Sequence, residues 1–299
     1  MAKIPFCYNF TAMGGSCSLH LYASRSCEAD IVAEAAENEV LRLEKKYSRY
    51  NNEGVLAAIN AAGNAGKRIE VDEETAGLLN YAVGCYVNSE GLFDITSGVL
   101  RKGWNFSQGT SLPKTETIEK LLSLVGMEKI SWEPPFLEFS CKGMELDLGG
   151  IVKEYAADRI AESCLEQEIS HGLAELGGDI RIIGPHPDGS PWKIDIRNPL
   201  KPEEIIKEIS LVEGALTGSG DYERCIVVDG VRYGHLLNPK TGWSVQGLRA
   251  VHVVSDRCLV AGSISTIAML KGFEGIKWLE SLPLLSIWID ENGACGGNL

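Results

Sequence analysis

No stretch of this chain approaches the run of roughly 20 apolar residues that crosses a bilayer. Its first residues, MAKIPFCYNFTAMGG, lack the apolar core of about 7–15 residues that marks a secretion signal. Positive charge is scarce as well: 28 Lys and Arg stand against 41 Asp and Glu, a formal net charge of −13. Nucleic acids and anionic membranes both need a basic face, so neither is an expected partner. A phosphorylated small molecule stays compatible, because a pocket can be locally positive inside an acidic protein. The nine cysteines include no CxxC pair, and an odd number suits a disulfide framework poorly. Several fall on apolar faces and read as small buried hydrophobes. No repeat of about 20–50 residues is visible, which argues against solenoids and propellers. As it stands, the chain is expected to be cytoplasmic, or periplasmic if a leader has been removed.

What is present is ordinary for a globular protein: 44% hydrophobic and 23% charged residues over 299 positions. That length can bury a substantial core as one domain spanning 1–299, or as two lobes at 1–110 and 111–299. The segment from Gln108 to Thr117 is the best candidate linker. The 33 glycines gather in clusters, which points to close backbone approaches and not to low complexity.

Periodicity sorts the elements. CSLHLYA (Cys17 to Ala23) alternates as a half-buried strand. From Glu28 to Tyr47, the positions Val32, Ala36, Val40, Leu43 and Tyr47 keep the step of an amphipathic helix. RIEVDEE reads as a short strand running into an Asp72-capped helix with Leu78, Ala82 and Cys85 inside and Gly91 as its stop. A helix carrying Ile118, Leu121, Leu122 and Val125 precedes three expected strands, KISWE, FLEFSC and MELDL. Further strands are DIRIIG, WKIDIR, IKEISLV, RCIVVDG and AVHVVS, then a helix from Leu259 to Lys271 and a closing SIWIDENG. Strands bunch in hairpin-like succession, so the expected class is α+β with mostly antiparallel sheets and packed helices.

Five stretches carry residue combinations that chemistry can use. In ELDLGGIVKEYAAD, an expected strand enters a helix through Gly149 and Gly150, and Lys153 follows in the first turn. Open backbone N–H groups and a cation there suit an anion; a tight turn with a solvated lysine is the other reading. ELGGDIRIIG (Glu175 to Gly184) repeats the Gly-Gly pair before Asp179, which either orients a ligand or completes a turn. ALTGSGDYER (Ala215 to Arg224) reads as an anion-binding nest or as a plain hairpin loop. In YGHLLNPKTG, His235 sits before an Asn-Pro turn, as a general base, a phosphate partner or a hydrogen-bonded turn residue. FDITSG (Phe93 to Gly98) is either a ligand contact or a helix C-terminal turn.

Their order is more specific than any one of them. GGSCSLHLYA, SRYNNEGVLAAIN, GLFDITSG, LDLGGIVKEYAAD, ELGGDIRIIG, PWKIDIRNP, LTGSGDYER, HLLNPKTG and AGSISTIAML together resemble the ApbE family of FAD:protein FMN transferases, from about Met13 to the end. The resemblance implies an ApbE-like, T-fold-related architecture. It also implies a reaction: FMN moves from FAD to a Thr or Ser of an acceptor flavoprotein, AMP is released, and a divalent metal, usually Mg2+, assists.

Carried over by motif, Met13, Tyr50, Leu92, Phe93 and Asp94 are expected flavin and adenine contacts. Lys153 is expected to meet FAD, with Ser219 and Asp221 as further cofactor-binding residues. His235 and Leu236 match H-x-x-[DN]-P, in which the histidine assists catalysis. The Gly150 carbonyl and Thr266 are the expected metal ligands. Two positions depart from the family pattern: Gly262 stands where A-D-x-x-x-T has its aspartate, and Glu154 stands where a glycine usually follows the lysine. A water or Asp221 in place of that aspartate, FAD binding without transfer, and FAD pyrophosphatase activity are the alternatives these departures leave open.

Overall fold

A computed structural model describes residues 3–106, 111–221 and 225–299. The lobe boundary, part of the 108–117 segment and the last three residues of the 215–224 stretch lie outside them. The chain opens with a hairpin, β1 (Ile4–Ala12) and β2 (Gly15–Ala23), paired without a slip from Ile4–Ala23 to Ala12–Gly15. Met13 and Gly14 close it at φ 52° and 77°, the left-handed conformations that a two-residue turn between right-twisting strands requires. In α1 (Ser26–Tyr47), the buried positions include all five that the helical step selected.

α2 (Val55–Ala65) is an element the sequence reading did not place. After β3 (Arg68–Glu70) comes α3 (Glu73–Asn88), where Asp72 accepts the Thr75 N–H as the expected N-cap. α4 (Thr115–Leu122) leads to β4 (Ile130–Glu133) and β5 (Phe136–Phe139), which form a small sheet in the order β3-β5-β4. Then follow α5 (Val152–Glu166), β6 (Gly172–Leu176), β7 (Asp179–Gly184), β8 (Trp192–Asn198) and β9 (Lys201–Leu211). β10 (Ala215–Gly220), β11 (Cys225–Val228), β12 (Val231–Gly234) and β13 (Leu248–Ser255) come next. α6 (Cys258–Lys271), α7 (Phe273–Glu280), β14 (Leu285–Asp290) and β15 (Cys295–Gly297) complete the order.

The main sheet has eight strands in the order β1-β2-β6-β7-β10-β13-β14-β15, each antiparallel to its neighbours. Helices α1, α5 and α6 pack on it and on one another. The β8–β9 ribbon supplies a second layer, in which Ile194, Ile196 and Ile209 cluster with Leu173, Ile182, Leu216 and Ile287 of the sheet. Neighbours in sequence divide between the layers, as period-2 alternation demands: Ala174, Ile183 and Ala215 join the helix-side core. The α+β class with antiparallel sheets is as expected. All nine cysteines are free, and four are buried.

Two local expectations are corrected. Met144, Leu146 and Leu148 are buried in alternation, but this extended segment joins no sheet. The Asn60 side chain of α2 takes the place of a neighbouring strand, accepting the Leu146 N–H at 2.7 Å and donating to the Leu146 carbonyl at 3.1 Å. Gly63 permits that approach, since a Cβ there would lie 2.8 Å from the Met144 carbonyl oxygen. The second correction concerns Ala215 to Gly220, read as a loop. It is a strand of the main sheet, paired along its whole length with β13 and at Ala215 and Leu216 with β7.

Candidate functional site

One cleft gathers residues from widely separated parts of the chain. Its lining includes Phe93 and Asp94, Gly150, His235 and Leu236, and Thr266. The Phe93–Asp94 segment is held from several sides. Ser89 Oγ accepts the Phe93 N–H at 2.8 Å, and Asp94 caps a 3-10 turn (Ile95–Lys102) by accepting from the Thr96 N–H and hydroxyl at 2.8 and 2.6 Å. Thr96 in turn accepts the Gly126 N–H at 2.7 Å. FDITSG is therefore the start of a capped turn, not the tail of α3. Burial raises the Asp94 carboxyl against those donors.

The Gly149–Gly150 turn is fixed by Asp147, a residue sequence reasoning missed. Its Oδ1 accepts the Gly149 N–H at 2.8 Å, while Oδ2 meets Arg49 at 2.9 Å and lies 3.7 Å from Arg101. Burial opposes the Asp147 charge, but Arg101, Arg49 and that N–H hold the carboxyl below its usual range. Gly98 packs straight onto it: a Cβ there would sit 2.7 Å from Asp147 Cβ. The signal in the sequence was an aspartate two residues before a Gly-Gly pair. Gly150 faces Phe93, whose ring would lie 3.5 Å from a Cβ at that position.

His235 and Leu236 follow β12 into the Asn238–Gly242 turn. The Asn238 side chain accepts the Lys240 N–H, its carbonyl accepts the Gly242 N–H at 2.7 Å, and Trp104 anchors the turn through the Gly242 carbonyl. The Leu236 carbonyl accepts the Val245 N–H, so the backbone at the cleft is pinned on both sides of the turn.

The other expected residues lie around this cleft, not in its lining. Lys153 reaches the second Gly-Gly turn, pairing with Asp179 at 2.8 Å and donating to the Gly177 carbonyl at 3.4 Å. Desolvation pulls its ammonium down, yet Asp179 and Glu154 outweigh that and raise it above its usual value. The Gly177 N–H bonds to the Ser16 carbonyl at 2.9 Å, so the Met13–Gly14 turn is brought beside the same place. Ser219 hydrogen-bonds Ser265 at 2.8 Å and Thr266 at 2.9 Å, and so touches the cleft wall from behind. Asp221 is buried and paired with Arg249 at 2.5 Å. Tyr50 is 79% exposed, its ring 5.2 Å from the Arg49 guanidinium that reaches Asp147.

α5 meets α6 at Glu154 and Gly262, four residues in sequence from Gly150 and Thr266 respectively. A Cβ on Gly262 would lie 2.5 Å from Glu154 Cγ and 3.1 Å from Cδ and Oε1. Glu154 is 7% exposed, and its Oε2 has no hydrogen-bond partner among the described residues. Burial, then repulsion from Asp179, raises this carboxyl, with Lys153 opposing. Among the described residues no group of three or more His, Cys, Asp or Glu is placed to hold a metal. Gly150 and Thr266 contribute a carbonyl and a hydroxyl to the lining, Glu154 lies outside it, and carbonyl, hydroxyl and carboxylate oxygens are the donors that suit a hard cation such as magnesium.

A family model described as the ApbE family matches residues 13–288. The FAD:protein FMN transferase of Vibrio cholerae is 28% identical over 254 residues, which cover 82% of this chain and 76% of that protein. The protein of that name from Escherichia coli K12 is 25% identical, over 89% of this chain and 78% of its own. The crystal structure of the Thermotoga maritima ApbE protein superposes with a TM-score of 0.90 at 31% identity, covering 99% of this chain and 97% of that one. The chain belongs to the ApbE family.

Proposed function

We propose that this chain transfers FMN from FAD to a Thr or Ser hydroxyl of an acceptor protein, with release of AMP. The observation that carries the reading is the convergence of Phe93–Asp94, Gly150, His235–Leu236 and Thr266 on one cleft. In this reading the chain is a single unit, because residues on both sides of the candidate linker line that cleft.

The acceptor oxygen attacks the phosphorus of the FMN half, the bond from that phosphorus to the bridging oxygen breaks, and AMP leaves carrying the bridging oxygen. His235 takes the hydroxyl proton as the new phosphoester forms. Phe93 offers an aromatic edge to a ring of the ligand. Lys153, with its side chain 29% exposed, offers part of its charge to a phosphate while Asp179 holds it in place. The Gly150 carbonyl and Thr266 hydroxyl would hold magnesium. When bound, the ion neutralises charge on the diphosphate and makes the phosphorus a better electrophile. The cavity holds about 100 Å³, so most of a dinucleotide would lie along its open rim and the Met13, Lys153 and Tyr50 surroundings.

The test follows AMP by chromatography and fluorescent flavin on an acceptor bearing an exposed Thr or Ser, in FAD and Mg2+. His235→Ala should lower both by about 10²–10⁴-fold while FAD still binds. Bound FAD without AMP from the unaltered protein would favour a binding protein. AMP without labelled acceptor would favour a pyrophosphatase.

A further inference from the structure

We propose that Glu154 supplies the carboxylate of the metal site from α5, and that the missing side chain at Gly262 is what admits it. The inference rests on the transferase reading for the identity of the site, but on separate observations for the residue. Glu154 lies in the first turn of α5, four residues after Gly150 in the turn that precedes the helix, and Gly262 and Thr266 are four apart within α6. The α6 spacing is one helical turn, about 5.4 Å, comparable with the length of a glutamate side chain. Gly150 and Thr266 both line the cleft, and Glu154 packs on Gly262, so the residue four after the one meets the residue four before the other.

One oxygen of the buried Glu154 carboxyl, Oε2, has no hydrogen-bond partner among the described residues. A buried acceptor without a donor is uncommon and calls for a water, an ion or a catalytic role. Its sequence neighbour Lys153 is spent on Asp179 and the Gly177 carbonyl. The other charges that bear on it, Asp179 and Asp158, are of its own sign. A cation is the partner that such a group lacks. Asp221 also has one oxygen without a partner, Oδ1, but Arg249 pairs with its Oδ2 and already balances its charge, which makes it the poorer source.

Gly262 completes the argument. Any side chain there would run into Glu154 Cγ, the middle of a buried side chain. One carboxylate fits between α5 and α6, carried by either helix but not by both. The two departures noted in the sequence, Glu154 and Gly262, are then one exchange.

The probe is Mn2+, titrated with and without FAD, with the free ion read by its electron paramagnetic resonance signal. Four proteins are compared: unaltered, Glu154→Gln, Glu154→Gly, and Glu154→Gly with Gly262→Asp. Glu154→Gln should bind Mn2+ at least about tenfold more weakly, with an unchanged circular dichroism spectrum and unchanged quenching of FAD fluorescence. Glu154→Gly should lose binding in the same way, and the double variant should recover it to within about threefold of the unaltered protein. Gly262→Asp alone should gain nothing. Equal Mn2+ affinity in Glu154→Gln, or a double variant no better than Glu154→Gly, overturns the inference. Because the double variant restores a carboxylate by another route, it decides the matter even if Glu154→Gln folds poorly. Failure of the transferase reading would show separately, as absence of AMP from the unaltered protein with FAD and Mg2+.

Discussion

Lys153 and Asp179 tie together the two Gly-Gly turns of this protein. Their 2.8 Å ion pair joins the first turn of α5 to the start of β7, with Asp179 almost completely buried and Lys153 partly open. Through Gly177 the same junction reaches Ser16 beside the β1–β2 turn. Sequence stretches more than 100 residues apart thus meet beside the cleft.

Removing the cation should therefore cost stability as well as ligand binding. Lys153→Met leaves a carboxylate buried without its partner, and breaking a buried pair typically costs about 3–5 kcal/mol. The partial exposure of Lys153 places the expected loss near 3 kcal/mol in urea denaturation. Lys153→Met combined with Asp179→Leu should recover most of it. A single variant as stable as the unaltered protein would show that the pair does not organise this junction.

Acid should weaken the fold through His252. Burial lowers its imidazole from the usual value to about 4, and its ring fills the space over Gly218 on the neighbouring strand. Between about pH 6.5 and pH 4 the unfolded chain binds a proton that the folded chain refuses, so stability falls as pH drops through that window. The slope for one proton is about 1.4 kcal/mol per pH unit. Comparing urea midpoints of unaltered protein and His252→Gln across the window isolates this share. Parallel curves would remove His252 from the account.

The cleft should respond sharply to a single methyl at Gly98. The Cβ of Gly98→Ala would press on Asp147 at 2.7 Å, and overpacking of this kind costs about 1–3 kcal/mol. Displacement of Asp147 should carry the Gly149–Gly150 turn with it, so FAD affinity should fall in a fluorescence titration by more than the stability loss explains. A variant that binds FAD normally would show that the turn is positioned from elsewhere.

How much of this was legible beforehand depended on whether a residue's role is local. The buried stripe of α1, the Asp72 cap and the alternation of β13 follow from spacing alone, and they were readable. Met144 to Leu148 alternates as a strand does, yet the Asn60 amide replaces its neighbour, and no local pattern announces a side chain from a distant helix. Thr217 to Asp221 looked like a loop because Gly and Ser usually punctuate turns. Gly218 is there instead to clear the His252 ring across a ladder pair. Asp147 and Arg101 were passed over because their meaning comes from the packing of a 3-10 turn onto an extended segment. Glu154 and Gly262 were both noticed as departures, but their connection needed the contact between α5 and α6.

The decisive measurement is the stoichiometry of products in one reaction mixture of protein, FAD, Mg2+ and a Thr- or Ser-bearing acceptor. The account predicts AMP and covalently flavinylated acceptor appearing in equal amounts, both lost together in His235→Ala. FAD that stays intact on the protein, or AMP that accumulates while the acceptor remains unlabelled, would contradict it.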